Sequence, residues 1–202
     1  MPDTILYISY NGIKEPLVRS QVLNYLEGLH TTEGYRFVLL TFDKTLLSAE
    51  EQLALRDQLS AQGIEWVSLP YHNNPKLFGT MYDVWAGTRA ALQLVKTHEV
   101  KLLHARSFVP ALIARKVKHR TGRPFINDIR GFWLDEKAYK GSLNKGSVLF
   151  KWGKRLEKSC YIASDAIISL SEAGLDEIRS WGLWEGRKQP PLVMIPTCVY
   201  LK

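Results

Sequence analysis

Cysteine is scarce in this chain of 202 residues: there are two, Cys160 and Cys198. They lie far apart among apolar neighbours. The reading is two reduced core thiols in a cytoplasmic protein, not a disulfide scaffold. No Cys/His cluster has ligand spacing, so no metal is expected. No apolar run approaches the roughly 18 residues needed to cross a bilayer. The start, Met1-Pro2-Asp3-Thr4, has no basic stretch followed by a long apolar core, so no secretory leader is expected. A G-x-G-x-x-G fingerprint is missing, which weakens a nicotinamide reading and a flavodoxin-like nucleotide regulator alike. Internal repeats and low-complexity tracts are missing too.

What is present is an ordinary globular composition, 46% hydrophobic and 23% charged, long enough for one large domain over residues 1–202. The net charge of +7 is unevenly spread. Residues 101–160 hold 15 Lys or Arg against 4 Asp or Glu, a balance of +11, while the remainder holds 12 against 16, or −4. Such a band suggests an anionic partner: phosphates or a membrane surface. Nucleic acid is not expected, because none of its usual binding motifs is found.

Short, almost wholly apolar segments alternate with helical periods from end to end. Strands are expected at 5–9, 35–42, 64–69, 102–105, 125–129, 166–170 and 192–195. Helices are expected at 17–29, 48–62, 77–97, 109–119, 147–162 and 171–181, with 131–146 irregular. Ser48 followed by Glu51 is a capping-box pattern, and Gly63 and Gly122 are stops. The fold class is therefore α/β: a doubly wound, mainly parallel sheet with helices on both faces, a Rossmann-like arrangement. Ligands of such sheets bind at the carboxyl ends of the strands, which makes the loops there worth reading.

The first such loop holds Gly12, Glu15, Arg19 and Gln21. Gly12 permits unusual backbone angles, and the free N–H groups opening the helix suit an anion. A merely capped loop is the alternative. The fourth strand ends in His104-Ala105-Arg106. Two residues apart in an extended chain, His104 and Arg106 point the same way, and Arg offers phosphate or carboxylate a fixed fork of donors. The fifth strand runs into Asn127-Asp128-Ile129-Arg130-Gly131-Phe132-Trp133-Leu134-Asp135-Glu136. Asp128 and Arg130 alternate onto one face, Trp133 offers a ring to a sugar or lipid, and Asp135 and Glu136 can accept from hydroxyls. The plainer alternative is a local Asp128–Arg130 ion pair and a core Trp133. The segments after strands one, four and five are expected to meet in one open groove.

The helix from Ser147 carries Val148, Trp152 and Leu156 at a spacing of four. Lys151, Lys154, Arg155 and Lys158 form a basic stripe beside them. The stripe is read either as a solvated face or as a contact for phosphate or anionic lipid headgroups.

With these pieces assembled, the chain resembles the N-terminal domain of glycosyltransferase family 4, of GT-B type, in the bacterial branch that assembles surface polysaccharide. The matching segments are GIKEPLVRSQVLNYLEGL (12–29), LLHARSFVPALIAR (102–115), FINDIRGFWLDE (125–136), LEKSCYIASDAIISLSEAG (156–174) and VMIPTCVY (193–200). The resemblance implies transfer of a sugar from a nucleotide-diphosphate donor to a saccharide or lipid-linked acceptor, with retention and without a metal. It implies that this half holds the acceptor. Arg106, Asp128 and Arg130 are then the catalytic candidates. Gly12, Glu15, Arg19, Gln21, His104, Trp133, Asp135 and Glu136 are the acceptor-binding candidates. The nucleotide sugar belongs to a donor-binding domain that the sequence does not contain, so a separate domain is an expected partner and this half alone is expected to be inactive. Two departures stand out. Arg106 occupies a place where many members have His, and Tyr200 stands where an Asp is expected. The cytoplasm, at the inner face of the cell membrane, is the implied location. The competing reading is a non-catalytic α/β module that docks a partner or an anionic membrane through its basic helix.

Overall fold

The computed structural model describes residues 3–45 and 47–197. Seven strands lie in one parallel sheet: β1 (Thr4–Ser9), β2 (Arg36–Asp43), β3 (Ile64–Pro70), β4 (Leu102–Arg106), β5 (Phe125–Ile129), β6 (Ala166–Ser169) and β7 (Leu192–Met194). Their spatial order is β3-β2-β1-β4-β5-β6-β7, so the order reverses between β1 and β4. A crevice opens at such a reversal, outside the carboxyl ends of the strands. The alternation foreseen from the sequence is present, and the fold is the doubly wound α/β class.

Helices cover both faces. On one face the π-helical segment Val18–Leu23, running into α1 (Asn24–Glu33), and α2 (Ala49–Ala61) pack on Tyr7, Phe37 and Leu39. On the other, α3 (Lys76–Thr97), α4 (Phe108–Thr121) and α6 (Val148–Ala163) pack on Leu6, Ile8, Val38 and Leu40. A third cluster joins α6 to α7 (Glu172–Ser180) through Tyr161, Ile167 and Ile178. Strand residues alternate between the faces because successive side chains point opposite ways. Leu6 and Ile8 serve one core, and Ile5 and Tyr7 the other.

Local chemistry sets the ends. The Ser48–Glu51 capping box is formed in both directions. Ser147 and Ser171 accept from the backbone N–H groups of Phe150 and Gly174. Gly122 closes α4 in the left-handed conformation at φ 70°, where a residue without a Cβ costs least.

Three local expectations change. The first helix opens as a π-helix, whose wider turn suits reshaping at a binding surface. Residues 131–146 are not wholly irregular, because α5 (Trp133–Tyr139) forms within them. In α6 the residues facing the core are Gly153, Glu157, Cys160 and Tyr161, whereas Val148 and Trp152 face outward. Cys160 is a free, buried thiol, and burial pushes its pKa up to about 12. Cys198 and Tyr200 lie outside the described residues.

Candidate functional site

Parallel register brings the site together. Arg106 lies opposite Ser9 on one side and Asp128 on the other, and His104 lies opposite Tyr7. His104, Arg106 and Asp128 therefore share the sheet face that carries Tyr7, at the carboxyl edge.

Asp128 is the hub. It is 1% exposed, and three basic groups approach a single oxygen, Oδ2. Arg130 donates to it from Nε at 3.1 Å and from Nη2 at 2.7 Å. His104 Nε2 lies at 3.4 Å and Arg106 Nη1 at 3.9 Å. Burial opposes ionisation of Asp128. The hydrogen bond and charge of His104, with the Arg130 guanidinium, outweigh it and hold the carboxyl below its ordinary value. Oδ1 of the same carboxylate and Nη1 of Arg106 have no hydrogen-bond partner. Arg106 turns its other nitrogen toward the first helix and donates to Gln21 Oε1 at 2.6 Å. The His104 ring packs on Tyr7, with centroids 4.4 Å apart.

Next to Arg106, Ser107 has φ 75° and ψ 179°, a conformation almost confined to glycine. Its N–H donates to the Asp128 carbonyl at 2.8 Å. The strand-to-helix turn is thus strained where it carries Arg106.

A cavity of about 400 Å³ opens over this cluster. Ser20, Gln21, Asn24 and Tyr25 form one wall, and His104, Asp128 and Arg130 form the floor. Ile168 of β6 and Ile195–Thr197, just past β7, close the far side. The volume lies within the range of small-molecule sites. The mixture of hydroxyl, amide, carboxylate, guanidinium and ring faces suits a polyhydroxylated ligand.

Of the residues singled out in the sequence, Gln21, His104, Asp128 and Arg130 line this cavity. Arg106 is 6% exposed and lies behind the wall, so its part is to position Gln21 and balance Asp128. Gly12 and Glu15 are not on the wall. Gly12 is packed against Asp43, where a Cβ would sit 2.6 Å from Oδ1. Glu15 holds its own loop through Asn11 Nδ2 and the Gly12 N–H, with Lys44 Nζ at 2.9 Å. Arg19 is exposed on the π-helical segment, outside the cavity. Trp133 packs on Phe108 with ring centroids 5.6 Å apart, Asp135 accepts from Lys154 at 2.8 Å, and the Glu136 carboxylate folds over Gly131. The segment after β5 therefore turns away from the groove beyond Arg130.

The basic stripe divides as well. Lys151 and Arg155 are exposed. Lys154 is tied to Asp135 and to buried Glu157, and its Nζ lies 4.6 Å from the Trp181 ring centroid. Lys158 lies over the same ring at 5.3 Å. Two of the four cations are thus held inside the molecule's own packing.

Sequence reasoning noted Ser20 only as polar where the first helix begins, and missed Asn24 and Tyr25. Their signal was the helical period itself: Val18, Val22 and Leu26 are buried, which turns 20, 21, 24 and 25 toward the cavity. It also missed Asp43. The Asp43 carboxylate accepts from Ile13 N–H at 2.6 Å, Thr41 hydroxyl at 2.6 Å and Ser68 hydroxyl at 2.7 Å. One side chain thus ties together the loop after β1 and the ends of β2 and β3.

Comparison with known proteins places the family and the fold. Residues 18–197 match the family model described as glycosyl transferase 4-like domain. No curated protein matches the sequence closely enough to count as a relative. Among solved structures, sucrose-phosphate synthase from Thermosynechococcus elongatus superposes with a TM-score of 0.65 at 12% identity, over 96% of this chain and 48% of that one. A UDP-glucosyltransferase from Polygonum tinctorium gives 0.64 at 11% identity, over 100% and 53%. HepE from Anabaena, in complex with UDP and glucose, gives 0.58 at 12% identity, over 96% and 44%. The chain spans about half the length of these structures. At such identities they speak for the fold, which is a Rossmann-like half of the GT-B kind.

Proposed function

The chain belongs to the glycosyl transferase 4-like domain family, and on that premise we propose that it is the acceptor-binding half of a retaining glycosyltransferase. The reading rests on one observation above all: Asp128, His104 and Arg130 form the floor of an open 400 Å³ cavity at the carboxyl edge of the sheet. The acceptor is a saccharide or a lipid-linked saccharide. Arg130, whose side chain is 25% exposed, donates to the acceptor's hydroxyl, while the buried Asp128 carboxylate, flanked by His104, holds its guanidinium in place. Ser20, Gln21 and Asn24 hydrogen-bond the flanking hydroxyls, and Tyr25 offers a ring face.

In the reaction, the acceptor oxygen bonds to the anomeric carbon and the bond from that carbon to the diphosphate breaks. The hydroxyl proton leaves with the diphosphate. A donor-binding domain, in the same polypeptide or a separate one, supplies the nucleotide sugar. Surface-polysaccharide assembly at the cytoplasmic face of the cell membrane is the proposed setting. Lys151 and Arg155 of α6 are the cations left to meet anionic headgroups. The alternative of a non-catalytic module is not favoured, because the family match is to a transferase domain.

Calorimetric titration of this chain tests the reading. Oligosaccharide binding that Arg130→Ala weakens about tenfold, the scale of one charge-assisted contact, supports it. Tight binding of UDP by this half alone overturns it, since the donor would then belong here.

A further inference from the structure

A row of exposed apolar side chains outside the cavity lies on α3. Leu77, Phe78, Met81, Tyr82 and Trp85 recur at a helical spacing and point outward together, with Phe78 67% and Trp85 50% exposed. A soluble surface rarely gathers so many large apolar side chains in two turns of one helix. Two helices away on the same face of the sheet, the first turns of α6 present Val148, 84% exposed, with Leu149 and Trp152. Every strand is parallel, so the N-terminal halves of α3 and α6 both sit at the carboxyl edge of the sheet.

We propose that these two helix starts form one bilayer-contacting surface, with the α3 side chains entering the acyl boundary and α6 supplying the charge for anionic headgroups. Charge separates a bilayer from a protein partner. Residues 139–156 contain five Lys or Arg and no Asp or Glu. Around the α3 stripe, residues 71–90 contain one acidic residue, Asp83. It is fully buried and bonded to Tyr10 and His72. Apart from Lys154, which Asp135 and Glu157 pair, the outward surface of both segments is apolar and basic. Its aromatic content fits the same partner: Phe78, Tyr82, Trp85 and Trp152 are ring side chains of the kind that settle at the headgroup level. Arg89 lies 5.0 Å from the Trp85 ring, placing a cation at the margin of the stripe. This surface lies on the sheet face opposite the Tyr7 side, leaving the cavity open to a lipid-linked acceptor. The inference deepens the proposed membrane setting and is independent of the transfer chemistry.

The experiment is flotation of the 202-residue chain with vesicles of phosphatidylcholine alone and of phosphatidylcholine mixed with phosphatidylglycerol, at low and high salt. Binding is expected with the anionic vesicles and is expected to weaken in salt. The double variant Phe78→Ser/Trp85→Ser, which alters only exposed side chains, is expected to reduce partitioning at least about tenfold. Lys151→Glu/Arg155→Glu is expected to remove the preference for anionic lipid. Circular dichroism of each variant verifies folding. Absence of binding to either vesicle, or full binding by the Phe78/Trp85 variant, overturns the proposal. So does a concentration-dependent dimer that the same substitutions abolish, because the stripe would then be a protein interface. Loss of vesicle binding with saccharide titration intact would leave the functional reading standing, and the converse would leave this one.

Discussion

Two arginines, one ending β4 and one just past β5, do different work. Arg106 is locked between Gln21 and Asp128 in the interior, while Arg130 reaches the same carboxylate from the cavity side. Arg106→Ala leaves a buried carboxylate short of one cation and Gln21 without its donor, and should cost about 3 kcal/mol of stability. Arg130→Ala, at a site 25% exposed, should cost less stability but more saccharide affinity. Denaturant unfolding and calorimetry on both variants separate the two. Ser107 makes a prediction of the opposite sign. Its φ of 75° with an extended ψ is a glycine conformation, so Ser107→Gly should raise stability by about 1 kcal/mol, read as a higher unfolding midpoint. The sequence showed His104, Arg106, Asp128 and Arg130 as a group because alternation along a strand is a local property. It could not show that Arg106 lies behind the wall, since that depends on a contact with Gln21 85 residues away.

The helices show where local pattern stops deciding. Lys154 looks like its neighbours in a basic stripe. The fold turns it onto Glu157, Asp135 and the Trp181 ring. Burial lowers its pKa, but the bonds to Asp135 and Glu157 outweigh this and raise it. Lys154→Ala strands the buried Glu157 carboxylate and should cost about 3 kcal/mol. Lys151→Ala, on the exposed side, should stay within about 0.5 kcal/mol. Chemical denaturation of the pair is the measurement. Helix ends were readable from Ser48, Gly63 and Gly122 because capping needs only neighbours. The outward turn of Val148 and Trp152 was not, because it depends on which side of α6 meets α4 and α7.

For the whole molecule, the parallel, doubly wound sheet was legible because apolar strands buried on both faces leave an unmistakable rhythm. The strand order was not legible, since register between distant segments leaves no local mark. Acid stability follows from the assembled site. A carboxyl with a depressed folded pKa contributes stability that is fully present above its unfolded value, about 3.9, and is lost as pH falls through the lower folded value. Thermal unfolding against pH should therefore show wild type and Asp128→Asn converging below about pH 4.

Asp43 gives the region after β1 a different character from most surface turns. Because its carboxylate grips Ile13, Thr41 and Ser68 at once, that region inherits the stiffness of the sheet's interior. The entropy of ordering it falls on folding, not on capture of an acceptor. An arriving saccharide should meet a wall, Ser20 to Tyr25, whose preceding loop is already held, with rapid association and little backbone rearrangement.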